Sequence, residues 1–164
     1  ELCGRYRIEW SISFSPERMT EMADNESINF DAEALLRKAK KAVESAYAPY
    51  SDFPVGAAIL FEDGRVVSGC NVENGSYGLS ICAERNAMTT AVSEGRLKPT
   101  AIAVVGTEGT LCPPCGACRQ FLSEFNGEMH VVLEDRGKTV IYKLSDLLPL
   151  QFRLTGKGET EDGR

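Results

Sequence analysis

Three cysteines and one glutamate stand at spacings that suit metal-assisted hydrolysis: Cys82-Ala83-Glu84, then Pro114-Cys115-Gly116-Ala117-Cys118. Three thiolates leave the fourth position of a tetrahedral zinc open to water, which is what separates catalytic zinc from closed structural zinc. Zinc lowers the pKa of its bound water from ~15.7 to about 7 and so supplies hydroxide at neutral pH. Glu84, two residues after Cys82, is too near along the chain to serve easily as the fourth ligand, and is well placed to move protons. The expected complement is one Zn2+ per chain on Cys82, Cys115 and Cys118.

Three thiolates outweigh the two positive charges of zinc, which weakens the metal as a Lewis acid. Arg85, directly after Glu84, can offset this by hydrogen-bonding a ligand sulfur; the competing reading is a surface arginine on a helix. The competing reading of the cysteines is a closed zinc knot with Cys112 or His130 as fourth ligand. Against it, Pro113-Pro114 stiffens the backbone beside Cys112, and a closed site gives Glu84 no role. His130, the single histidine, sits in an apolar stretch and reads as a packing residue. Cys3 and Cys70 have no motif partner and read as plain thiols.

The elements that must position these groups follow from periodicity and turn signals. From Asp31, Leu35, Leu36, Ala39, Ala42, Val43, Ala46 and Tyr47 recur at helical spacing, and Pro49 ends that helix. Val55 to Phe61 and Arg65 to Val72 read as strands joined at Asp63-Gly64. A Gly-, Asn- and Ser-rich loop, Asn74 to Ser80, follows. Cys82 opens a helix closed by Gly95, and Cys115 opens another to about Phe125, so three thiols lie at two helix starts, whose partial positive charge favours thiolates. Thr100 to Gly106 is a strand. His130 to Leu133 and Thr139 to Tyr142 are too close in sequence for a parallel crossover and must form a hairpin. A short helix from Ser145 ends at Pro149. The order αββαβαββα predicts parallel strands in the middle, covered on both faces: a three-layer α/β/α sandwich around a five-stranded mixed sheet.

The 164 residues suffice for one domain with its own core. Residues 1–29 show no sustained period, with Met19 and Met22 each a possible start, and read as an N-terminal extension, a leader or a cloned remnant. Residues 30–153 form the expected domain, and 154–164 a polar tail expected to be disordered. The net charge of −6 argues against polyanion partners, since phosphate-backbone binding needs clustered Lys and Arg. Arg37 to Lys41 reads as a solvated helix face. No secretory-type apolar stretch and no membrane-length apolar run is seen, so no membrane partner is expected and the expected location is cytoplasmic.

The chain resembles the small homotetrameric cytidine deaminases from about Asp31 to Phe152. The matching segments are Pro49-Tyr50-Ser51-Asp52-Phe53-Pro54-Val55-Gly56-Ala57-Ala58, Asn71-Val72-Glu73-Asn74, Tyr77, Ile81 to Arg85, Pro114 to Gln120, and Leu147-Leu148-Pro149. The zinc motif by itself marks the wider superfamily of zinc nucleobase deaminases. The two N-terminal motifs indicate its nucleoside branch, and the final antiparallel hairpin agrees.

The resemblance implies hydrolysis of cytidine and deoxycytidine at C4 to uridine and deoxyuridine, with release of ammonia, as in pyrimidine salvage. It implies that Glu84 moves the protons, that Asn71 and Glu73 hold the ribose 3′-hydroxyl, and that Phe53 and Tyr77 lie near the nucleoside. The backbone of Ala83 would read the base and the Pro113 carbonyl would accept from the 4-amino group. Phe152 would reach into a neighbouring subunit of a homotetramer with shared sites. On the residues alone, Phe53 and Phe152 also fit simple core or interface positions, and Asn71 and Glu73 also fit loop-capping roles. Two departures from the family pattern are Cys112 and Pro113, and the N-terminal extension is a third. The rival functions are deamination of another small substrate, such as an aminopyrimidine antibiotic, and a non-enzymatic zinc-stabilised binding module.

Overall fold

The structure is a computed structural model that describes residues 28–107 and 111–153. The expectations for residues 1–27 and for the tail from 154 lie outside the described residues.

Helix α1 (Ala32–Val43) starts where Asp31 caps it: the carboxylate accepts from the Ala34 N–H at 2.8 Å, a cap worth ~1 kcal/mol. Leu35, Leu36 and Ala39 form its buried stripe. The helix ends at Val43, earlier than the spacing of Ala46 and Tyr47 predicts. Tyr47 pairs instead with a remote segment: its N–H donates to Asn71 O at 3.0 Å and its carbonyl accepts from the Glu73 N–H at 2.8 Å. Tertiary backbone pairing overrides local periodicity here.

Strands β1 (Gly56–Phe61), β2 (Val66–Cys70), β3 (Pro99–Val105), β4 (His130–Asp135) and β5 (Lys138–Lys143) form one sheet in the order β2-β1-β3-β4-β5. The expected parallel pairing is found at β3/β4, whereas β1 runs antiparallel to both its neighbours. The connection from β2 through α2 (Ala83–Ser93) to β3 therefore passes over β1. The β4/β5 hairpin is antiparallel as expected and turns at Arg136-Gly137, both at positive φ, the two-residue turn that matches strand twist.

The register sorts the core into two faces. Ala58, Ala103 and Val132 align on one face, where α1 packs and Gly56 lies under Ala39. Ile59, Ile102 and Val131 align on the other, packed with Ala87, Met88 and Ala91 of α2 and Leu122 of α3 (Gly116–Asn126). This is the expected three-layer arrangement, completed by the short α4 (Leu144–Leu147). Each fully buried Leu, Ile or Met contributes roughly 1.5–3 kcal/mol. The exposed ties from α1 to the hairpin, Lys40 to Glu134 and Thr139 to Glu33, are of the kind worth at most about 1 kcal/mol. The core therefore decides where α1 sits.

One close approach bears directly on the site. A Cβ on Gly69 would lie 2.4 Å from Ala87 N and 2.8 Å from Ala83 O. Only glycine lets the first turns of α2 rest on β2. That turn carries Cys82 at its cap and Glu84. Among the described residues, no helix is long and apolar enough to cross a membrane.

Candidate active site and metal centre

Cys82 and Cys115 occupy the caps of α2 and α3, where Ser, Thr, Asp or Asn usually stand, and neither makes a side-chain cap bond. Cys118 lies in the first turn of α3, three residues after Cys115 and on the same face. The two helix starts converge. The Sγ atoms of Cys82, Cys115 and Cys118 lie within 4.8 Å of one another, and Cys82 to Cys115 is 3.9 Å. Tetrahedral zinc with Zn–S near 2.3 Å needs sulfurs about 3.8 Å apart, so this all-thiol set fits one zinc ion. Among the described residues no other group of His, Cys, Asp and Glu comes this close together.

The alternative ligands fall away on geometry. Cys112 is not in the sulfur group, and burial first, then Glu84 and Cys82, push its thiol up to about 11. His130 lies in β4, opposite Ala101 and Lys143, outside the group. The three-thiol site keeps an open side.

Glu84 lies beside the sulfurs, its carboxyl hydrogen-bonded with Cys118, and is buried, at 4% exposure. Burial raises its carboxyl pKa, the Cys82 charge adds to the rise, and its own backbone N–H, Cys118 and Arg85 oppose it. A carboxyl raised toward neutrality suits a group that must take up and release a proton in each cycle. Arg85 donates to Ser80 O at 3.2 Å and places the same nitrogen 3.9 Å from Cys82 Sγ. The sequence expectation for Arg85 thus has its geometric counterpart: the guanidinium reaches ligand sulfur. The Cys82 thiol is lowered to about 5, chiefly by its hydrogen bond with Cys118 and also by Arg85. Cys118, its partner, is shifted up, so the metal-free pair keeps one proton between them.

A second loop, beginning at Asn71, holds the 50–55 segment. Asn71 acts as a staple: Oδ1 accepts from the Val55 N–H at 2.8 Å, and Nδ2 donates to Phe53 O at 3.0 Å. Glu73 Oε2 accepts from the N–H groups of Tyr50 and Ser51 at 2.9 and 3.2 Å, and Oε1 bonds to the Ser51 hydroxyl. These bonds hold the Glu73 carboxyl below the usual range, Ser51 most of all. Tyr77, 74% exposed, packs edge-on against Tyr50 with ring centroids 6.0 Å apart. Asn71 and Glu73 therefore perform the loop-holding role that competed with sugar binding in the sequence reading. Phe53, 38% exposed, leans over Gly106: a Cβ there would lie 2.9 Å from Phe53 Cζ and 3.0 Å from Cys112 Sγ. The small Cys112 and the bare Gly106 together make the bed for this ring.

Ala83 is fully buried at the start of α2, and Pro113 is exposed in the loop before α3. Phe152 is 68% exposed and far in sequence from the metal ligands. Sequence reasoning missed the residues that tie these parts together. Arg119 donates through Nε to Pro114 O at 2.7 Å and through NH1 to Leu147 O at 2.9 Å. Gln120 bonds to both backbone groups of Phe152. Their sequence signals were position, directly after Cys118, and a place in the matching segment Pro114 to Gln120. Gly106 carried the weak signal of a glycine at a strand end, which marks a close approach.

The comparisons with known proteins agree with this geometry. A family profile described as "Cytidine and deoxycytidylate deaminase zinc-binding region" matches residues 30–134. A cytidine deaminase of Sporosarcina psychrophila is 50% identical over 125 residues, covering 74% of this chain and 91% of that protein. One from Halalkalibacterium halodurans is 48% identical over 124 residues, covering 74% and 94%. The crystal structure of the cytidine deaminase from Burkholderia pseudomallei superposes with a TM-score of 0.71 at 47% identity, covering 75% of this chain and all of that one. With a converged three-thiol zinc site and a buried glutamate beside it, the chain belongs to the cytidine and deoxycytidylate deaminase family of zinc enzymes.

Proposed function

We propose that this chain hydrolyses cytidine and deoxycytidine to uridine and deoxyuridine with release of ammonia, a step of pyrimidine salvage. The observation that carries the reading is Glu84, buried against an open three-thiol metal site with its carboxyl pKa raised. Zinc held by Cys82, Cys115 and Cys118 supplies Lewis acidity, which makes water acidic near neutral pH. Glu84 takes the proton from the attacking water, delivers it to N3 of the base, and then helps protonate the departing amine. Arg85 draws negative charge from the Cys82 sulfur. The Ala83 backbone and the Pro113 carbonyl read the base edge, and Phe53 covers its face.

The sugar contacts use what the loop bonds leave over. A carboxylate has about four lone-pair sites, and the bonds from Tyr50, Ser51 N–H and Ser51 hydroxyl leave Glu73 room to accept from a ribose hydroxyl. Asn71 keeps a second N–H beyond the one given to Phe53 O. A phosphate beside Glu73 meets like charge, which costs several kcal/mol when partly desolvated. No Lys or Arg stands between Asn71 and Ser80 to receive it. Cytidine is therefore expected to be turned over far better than its 5′-monophosphate, and nucleic acid is not a substrate. Catalytic efficiencies on cytidine, deoxycytidine, the monophosphate and an aminopyrimidine antibiotic test this. Equal use of nucleoside and nucleotide would remove the basis for it.

A second expectation concerns the bed of Phe53. A methyl at position 106 must displace the ring or Cys112, and overpacking of this kind costs about 1–3 kcal/mol. Gly106→Ala should raise KM for cytidine while zinc stays at one per chain. An unchanged KM would show that Phe53 does not depend on the bare backbone.

The proposal extends to a homotetramer with shared sites, built from the 30–153 domain and working in the cytoplasm. The exposed side chains of Tyr77, Leu79 and Phe152 support an assembly that covers them. Cys70 and Cys112, free thiols outside the metal group, support a reducing compartment. A fully active monomer in sedimentation would contradict the shared sites.

A further inference from the structure

We infer that Gln120 is a positioning residue: it docks the C-terminal segment onto the zinc-site helix and thereby aims Phe152. The inference rests on the shared-site reading for what Phe152 does, but the docking itself stands on geometry. Gln120 Oε1 accepts from the Phe152 N–H at 3.0 Å, and Gln120 Nε2 donates to Phe152 O at 2.8 Å. The side-chain amide thus pairs with one residue's backbone as a neighbouring β-strand would. Ser123 Oγ, 3.5 Å from Nε2, agrees with that orientation of the amide.

The consequence lies in what is left free. With both backbone groups of Phe152 held, its side chain is left 68% exposed. Gln120 is two residues after the ligand Cys118 on the same helix. Its neighbour Arg119 holds Leu147 O and Pro114 O, so consecutive residues grip both ends of the 147–152 segment. The segment that carries Phe152 is therefore registered to the helix that carries two metal ligands. A site on a neighbouring copy then receives Phe152 at a defined height and angle.

The test combines kinetics with tryptic cleavage. Two backbone hydrogen bonds of this kind are worth about tenfold in an equilibrium. Gln120→Ala is expected to raise KM for cytidine about tenfold, with kcat within about threefold of wild type and one zinc per chain retained. Cleavage after Arg153, followed by mass spectrometry, should accelerate by a similar factor because the segment is released. Gln120→Ala combined with Phe152→Ala should be no worse than Phe152→Ala alone, since both remove one interaction. Gln120→Glu keeps the acceptor but sets a carboxylate oxygen against Phe152 O, and should behave like Gln120→Ala. Wild-type KM in Gln120→Ala while Phe152→Ala raises it, or fully additive effects, would overturn the inference. If Phe152→Ala leaves KM unchanged, the shared-site reading fails instead, and an unaltered cleavage rate in Gln120→Ala would then overturn the docking on its own.

Discussion

Glu84→Gln is expected to lower kcat for cytidine by at least ~10⁴-fold, the upper end for a positioned acid–base group. Here one carboxylate serves several proton transfers in turn, so the loss accumulates over the cycle. Ten thousandfold is about 5.4 kcal/mol of barrier. Glutamine has nearly the same shape and hydrogen-bonds, but it cannot take up and pass on a proton. Zinc content should stay at one per chain, because Glu84 is not among the sulfur ligands. Stability should move the other way. Burial raises the Glu84 carboxyl pKa, so the folded metal-free protein holds this proton more tightly than the unfolded chain. Its ionised form destabilises the metal-free fold at pH above the unfolded value, and that penalty grows as pH rises from there to the raised folded pKa. The amide carries no such penalty, and the thermal midpoint of metal-free Glu84→Gln at neutral pH should be no lower than that of the wild type. Turnover of cytidine within tenfold of wild type would falsify the assignment of Glu84 as the proton carrier.

Removing a ligand sulfur is the second large effect. Cys82→Ala, Cys115→Ala and Cys118→Ala should each lose zinc and all measurable deamination. Two thiolates at two helix starts do not complete a tetrahedral site, and the positive ends of those helices are left without their anion. The loss should also appear in stability. A ligand held a thousandfold above its Kd adds ~4 kcal/mol by mass action alone, so these variants should melt well below the zinc-loaded protein. The wild type stripped by a chelator should melt where they do. Cys112→Ala is the control: its sulfur is outside the group. Metal analysis showing zinc loss in Cys112→Ala would mean a four-thiol closed site and would end the open-site reading.

The parts of this protein that were legible in the sequence are those that depend on neighbours along the chain. Cys82-x-Glu84 and Cys115-x-x-Cys118 combine a ligand type with a helix start, and both features are local. The place of Arg85 beside the Cys82 sulfur follows from one helical turn. The hairpin of β4 and β5 follows from the short connection, and the element order from periodicity and turn residues. The mixed five-stranded sheet and its two helical faces could be inferred from that order.

What only the tertiary structure decided is pairwise and distant. The helical spacing through Tyr47 lost to a backbone pairing with Val72. The position of β1 between β2 and β3 is a matter of which strands meet, and the local pattern is the same for either neighbour. Asn71 and Glu73 revealed their grip on the 50–55 segment only when the loops were brought together. The bed that Gly106 and Cys112 make for Phe53, and the clasp of Gln120 on Phe152, join residues with no periodic relation. Chemistry-bearing motifs are written locally because one helical turn suffices to orient them. The residues that fix loops around the motifs are chosen by shape and hydrogen bonding across the fold, and those partners exist only once the chain has packed.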